Sequence, residues 1–339
     1  MKIERDFTSK EFLRFIHRNI DGTEVYFVAN PTNNAVNTTC QFRVQGMQPQ
    51  LWNPMNGKTE KVAQYEELNG TIKMPISLEA EGSVFVVFQP ENKTNIAVKN
   101  IVRNGEEQNI PIAQNDNNGF EMNLAQAGKY TLTSTDDKSQ TFEVKNIPQP
   151  LEIKGPWEVQ FINGTNAPAK TTFPELISWS ESKDESIKYY SGSAIYTNTI
   201  TIPKAMIGKN KSLKLDLGKV AIMAEVKING KALGILWKAP FCIDITEVAK
   251  AGKNSIEIKV VNLWVNRMIG DEQLPDDSKR SEKGTLLAWP QWVLDGKSDP
   301  NGRNTFTTWK LWKKDAALVE SGLIGPVSII SEEHITLNR

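Results

Sequence analysis

The sequence is poor in the residues that most often announce a chemistry. It holds two cysteines, Cys40 and Cys242, in 339 residues. They lie far apart in the chain, which excludes a disulfide framework and any zinc site built on cysteine; both read as structural thiols. Its two histidines, His17 and His334, are also distant, and neither accompanies a nucleophile motif. Surface or interface roles fit them. No run approaches the roughly 20 consecutive apolar residues of a membrane span, so no membrane partner is expected. Charge of one sign is lacking too. Lys+Arg and Asp+Glu number 40 each, so no global field favours nucleic acid. The opening MKIERDFTSKEF has no apolar core of a secretory signal. Finally, no stretch alternates strand and helix patterns over the roughly 250 residues of a (β/α)8 barrel.

What is present reads as β. In residues 1–90, Glu24–Ala29 and Ser83–Phe88 are short apolar runs closed by Asn30-Pro31 and Gln89-Pro90, Cys40–Val44 alternates, and Leu51–Gly57 runs into an Asn-Gly turn. Short strands at this spacing predict an antiparallel sandwich. Ahead of them, Phe12, Phe15 and Ile16 share one helical face, and such an opening reads as the downstream part of something longer. Residues 91–148 are more polar, with strand patterns at Ala127–Leu132 and Thr141–Val144. They form either a small domain with a marginal core or a continuation of the first.

Ile147-Pro148-Gln149-Pro150 reads as a stiff linker, and a third domain is expected over 151–339. Eight of the nine tryptophans lie there: 157, 179, 237, 264, 289, 292, 309 and 312. Tyr196, Ile200 and Ile202 alternate with a threonine-rich outer face at 197, 199 and 201. Leu213/Leu215/Leu217, Ile222/Ala224/Val226/Ile228 and Ile256/Ile258/Val260 each offer one apolar face at period two. Asn229-Gly230 predicts a tight hairpin. Asp244–Gly252 predicts one helical turn capped by Thr246. From Asn262 the chain leaves this scaffold as an aromatic, Arg-bearing exit loop, and Asp271–Asn304 loses all periodicity, as functional loops do.

The motifs Gly155-x-Trp157, Tyr190-x-Gly192-x-Ala194-x-Tyr196, Leu215-x-Leu217-Gly218, Ala224-Glu225-Val226-x-Ile228-Asn229-Gly230, Leu233-Gly234, Pro240-Phe241, Asp244-Ile245-Thr246 and Gly252-x-Asn254 together resemble the sugar-binding jelly roll of family 2 glycoside hydrolases. A narrower set resembles the C-terminal end of family 106 glycoside hydrolases, the α-L-rhamnosidase-like enzymes. It comprises Leu236-Trp237-Lys238-x-Pro240-Phe241, Asn262-x-Trp264-x-Asn266-Arg267-x-Ile269-Gly270-Asp271, Trp289-Pro290-x-Trp292, Arg303-x-Thr305-Phe306 and Ser321–Val327. Phe15–Arg18, Tyr26–Asn30 and Leu51–Pro54 resemble the β-domain that follows the catalytic barrel in those enzymes. The resemblance implies an all-β chain of tandem β-sandwiches ending in a galactose-binding-like jelly roll. It also implies a glycan partner, such as a rhamnose-containing plant polysaccharide, a catalytic-barrel partner, and a periplasmic or secreted full-length enzyme. The chemistry of such enzymes resides on the barrel, so the chain alone is expected to be non-catalytic. A freestanding carbohydrate-binding module and a structural or adhesive sandwich without ligand are the alternatives.

Glycoside hydrolysis needs two carboxylates flanking the scissile bond, and adjacent Asp271 and Glu272 supply one such position at most. Asp271 reads as a loop anchor with Arg267 as partner. Sugar recognition needs flat aromatic faces and forked polar groups. Trp237, Trp264, Trp289, Trp292 and Trp309, with Asn266, Arg267, Asp271 and Arg303, have that composition; pinning the long loop to the sandwich or packing against an absent barrel explains most of the same tryptophans. Trp157 and Trp179 read as core or strand ends. No cofactor is expected, and the one metal considered is a structural calcium at Asp276-Asp277.

Overall fold

The structure, a computed structural model, describes residues 5–90, 96–162, 167–276 and 278–338. It is all-β, built from antiparallel sheets. The chain divides into two units: Met1–Gln149 with Gly208–Ser212 and Ser331–Arg339, and Pro150–Ile207 with Leu213–Ile330.

In the first unit the segment read as a helical face is extended instead. Arg14–Ile20 pairs with Thr23–Ala29, with Ile20 opposite Thr23. The two-residue loop is therefore Asp21-Gly22, with φ of +49° and +84°, and an Asp-Gly turn of this kind closes a hairpin whatever the spacing of nearby aromatics. The hairpin continues through Ser83–Pro90 and Met47–Trp52 into Thr59–Val62, facing a second sheet of Phe7–Ser9, Val36–Phe42, Thr71–Leu78 and Glu66–Leu68. Tyr26, Val28, Cys40, Phe42, Met74 and Phe88 fill the space between. Burial pushes the Cys40 thiol up to about 12, so it behaves as a packing group. A second cluster, around Ile101, Phe120, Leu124, Tyr130 and Leu132, serves the sheet of Val98–Arg103, Gly128–Ser134 and Ser139–Val144.

The second unit is a jelly-roll sandwich. One layer has six strands in the order Thr171–Phe173, Trp157–Ile162, Ser193–Ile202, Gly252–Val261, Met223–Ile228, Lys231–Leu236. Tyr196, Ile200 and Ile202 turn inward from it while Thr197, Thr199 and Thr201 face out. The three alternating runs separate: Met223–Ile228 and Gly252–Val261 pair in this layer, whereas Lys211–Asp216 pairs with Cys242–Asp244 in the other. Leu215, Val226 and Ile258, each 0% exposed, meet in one core with Trp157 and Trp179. Asn229 and Gly230, at φ of +53° and +82°, form the expected hairpin between Ile228 and Lys231.

The expected helical turn is smaller and differently capped. Ala249 N–H donates to the Ile245 carbonyl at 2.9 Å, and Asp244 Oδ1, not Thr246, accepts from the Thr246 N–H at 2.8 Å. Thr246 Oγ1 is spent on the Leu213 N–H.

Candidate functional site

The Gly252–Val261 strand ends in Asn262, whose side chain accepts from Gly192 N–H and donates to the Tyr190 carbonyl. The exit predicted as a loop is then a helix, Val265–Asp271. Its inward face carries polar residues, which hid it from a hydrophobic-periodicity reading. Asn266, Arg267 and Asp271 are all buried. Arg267 Nη2 and Asp271 Oδ1, four residues apart, form an ion pair at 2.8 Å. The guanidinium also lies over the Tyr189 ring, 5.9 Å from its centroid. Tyr189 packs against the bare backbone of Gly270, where an added Cβ would meet the Tyr189 Cγ at 2.6 Å.

The other polar candidates, Asn266, Asp271 and Arg303, each hold backbone. Asn266 Nδ2 donates to the Val319 carbonyl at 2.7 Å and its Oδ1 accepts from Val319 N–H at 2.9 Å. Asp271 Oδ2 accepts from Asn304 N–H, Thr305 N–H and Thr305 Oγ1 at 2.7–2.9 Å. Arg303 donates to the Pro275 and Leu274 carbonyls and to Glu272 Oε1. Glu272 Oε2 and Asp276 Oδ1 share Lys310, each at 2.8 Å. The hydrogen bond from Lys310 holds the Asp276 carboxyl below its ordinary value, and Asp276 with Glu272 raises the Lys310 ammonium. The cavity here, bordered by Glu272, Arg280, Arg303 and Lys310, encloses about 20 Å³, room for one water and not for a sugar ring. Asp276 thus has cationic partners, and Asp277 lies outside the described residues. Among the described residues no group of three or more His, Cys, Asp or Glu is placed to hold a metal.

The aromatic candidates fall in three settings. Trp289 and Trp292 flank Phe306, with centroids 5.7 and 5.6 Å away, Trp292 edge-on and half-buried. Trp309, more than half exposed, donates through Nε1 to the Lys283 carbonyl. Trp237 and Trp264, also more than half exposed, belong to one end of the six-stranded sheet. Backbone register shows this: Ala224 is opposite both Leu236 and Val260, so Trp237, Met223 and the residues after Val261 leave the sheet together. Ile222, Met223 and Leu263 are exposed at the same end. Met223 and Leu263 were missed from sequence, and Ile222, read there as facing the core with Ala224, Val226 and Ile228, is exposed because it precedes the strand that begins at Met223.

Three comparisons bear on these features. The α-L-rhamnosidase family model matches residues 1–67. A provisionally named beta-glucuronidase of Formosa agariphila is 37% identical over 297 residues, covering 81% of this chain and 25% of that protein. The solved rhamnosidase from Novosphingobium sp. PP1Y superposes with a TM-score of 0.67 at 28% identity, covering 97% of this chain and 25% of that one. The chain therefore spans about a quarter of the length of each relative. By these matches and by its tandem antiparallel sheets, the chain is a glycoside hydrolase-related β region, similar to the α-L-rhamnosidases.

Proposed function

We propose that this chain is a non-catalytic portion of an α-L-rhamnosidase-like glycoside hydrolase. It supports the catalytic barrel by docking through the end of its six-stranded sheet. The observation that carries this reading is the concentration of exposed Ile222, Met223, Trp237, Leu263 and Trp264 at one sheet end, set directly on a helix whose Asn266 and Asp271 side chains are engaged with the chain's own backbone. Exposed aromatic and methionine side chains with little charge among them are what an interface core is made of. The engagement of Asp271 and Glu272 supports the non-catalytic part, because an acid and a base must be free to exchange protons with the substrate.

The test uses the chain and the catalytic barrel of the same enzyme, produced separately. Sedimentation should show a complex that Trp237→Ala with Trp264→Ala weakens by about tenfold or more, and the chain alone should release no aryl-rhamnoside chromophore. Hydrolysis by the chain alone would overturn the non-catalytic reading. A carbohydrate-binding module is the second reading, favoured by the same exposed indole faces. Glycan binding abolished by Trp264→Ala, without any association with the barrel, would select it.

A further inference from the structure

Asn-Gly pairs recur along the chain, and they differ in how far their own atoms are engaged. In this dipeptide the Gly amide nitrogen can attack the Asn side-chain carbon Cγ, and glycine, having no Cβ, leaves that approach open. The attack needs two freedoms. The Gly N–H must give its proton to solvent hydroxide, so it cannot be committed as a donor. The Asn side chain must swing back over its own backbone, so its amide cannot be tied elsewhere.

Among the described residues such pairs begin at Asn56, Asn69, Asn104, Asn118, Asn229 and Asn301, while Asn163-Gly164 lies outside them. At three of them the glycine is committed. Gly57 N–H donates to the Asn53 carbonyl at 2.9 Å, Gly119 N–H to Asn115 Oδ1 at 2.8 Å and Gly302 N–H to the Asp299 carbonyl at 3.1 Å. At two others the asparagine is tied. Asn229 Nδ2 donates to the Val248 carbonyl and to Asn254 Oδ1 while its Oδ1 accepts from Ser255 N–H, and Asn104 Oδ1 accepts from Lys129 N–H at 2.9 Å. At Asn69-Gly70 neither the side-chain amide nor the glycine N–H has a hydrogen-bond partner among the described residues. Asn69 is also exposed. The pair forms the turn between Glu66–Leu68 and Thr71–Leu78, with Leu68 opposite Thr71 and φ of +53° and +77°. Glu66–Leu68 is a short, wholly exposed strand at the edge of its sheet, so this turn leaves its tight conformation at low local cost.

We propose that Asn69 is a site of spontaneous deamidation. The Gly70 nitrogen forms a bond to Asn69 Cγ, the Cγ–Nδ2 bond breaks, and Nδ2 leaves as ammonia, closing a cyclic imide. Water then opens the ring at either carbonyl and yields aspartate or isoaspartate, with nothing oxidised or reduced. Either product sets a new carboxylate beside Glu66 and Glu67. The isoaspartate form also lengthens the backbone of a turn whose length fixes the pairing of its strands. Glu67 Oε1 accepts from Gly46 N–H at 2.9 Å, so loosening this strand frees the Gly46 loop as well.

The test incubates the purified full chain in mildly alkaline buffer at physiological temperature, beside the same chain held in urea, and follows every Asn-Gly pair by mass spectrometry of its peptides. In the folded chain Asn69 should convert at least about tenfold faster than Asn229, whose side-chain bonds must break first. In urea the two should convert at similar rates, because the folded constraints are gone. Asn69→Gln should delete the early product. The proposal is overturned if another of the described pairs matches or outpaces Asn69 in the folded chain, if urea leaves the ranking unchanged, or if the early product persists in Asn69→Gln.

Discussion

The strands of the second unit and the segment that follows them, residues 262–321, are held in place by opposite means. The strands converge on one apolar core in which Trp157, Val159, Tyr196, Val226 and Ile258 are all 0% exposed. The following segment has little regular structure and few buried apolar groups. It is tied down by single polar residues, each making two or more bonds to backbone: Asn266 on Val319, Asp271 on Asn304 and Thr305, Arg303 on Leu274 and Pro275. Stability in the first region is proportional to area and shared among many side chains. In the second it is concentrated at points.

The contrast can be broken most severely at the core. Trp157→Ala should cost about 3–5 kcal/mol and lower the denaturant midpoint of the whole second unit. Next is Asp271→Asn, which leaves the buried Arg267 guanidinium without its counter-charge. A loss of about 1.5–3 kcal/mol is expected, confined to the segment: amide exchange at Asn304 and Thr305 should accelerate while the Gly252–Val261 strand stays protected. Equal acceleration in both would erase the distinction. Trp264→Ala should change stability by no more than about 0.5 kcal/mol, since the side chain is exposed and makes no capping bond. The smallest effect is acidification. The Asp276 carboxyl is depressed by Lys310, so its contribution is complete above the ordinary aspartate value of about 3.9. It fades as pH falls through the lower folded value, visible as chemical-shift changes at Lys310 before the strands unfold.

The same contrast explains what the sequence disclosed. Period-two alternation marked Leu215, Val226 and Ile258 because burial on one face is a local, repeating demand. That Lys211–Asp216 belongs to a different layer from its two companions was invisible, since periodicity reports a buried face and says nothing of the partner. The Val265–Asp271 helix was read as a loop because its buried side carries Asn266, Arg267 and Asp271 beside Ile269, with Asn266 and Asp271 satisfied by residues some 33 to 53 positions later. The Arg14–Ala29 hairpin was legible in Asp21-Gly22, and the spacing of Phe12, Phe15 and Ile16 drew attention from it.

The path of the chain between the units matters during synthesis. Strand Phe120–Leu124 of the first unit finds its neighbour in Glu333–Leu337, more than 200 residues downstream. A ribosome must therefore add more than 200 further residues before that edge can be covered. Until then Phe120, Met122 and Leu124 present an open strand to chaperones or to other nascent chains. A cut after Gln149 would make that exposure permanent, so a tidy boundary in the sequence is a poor place to divide this protein.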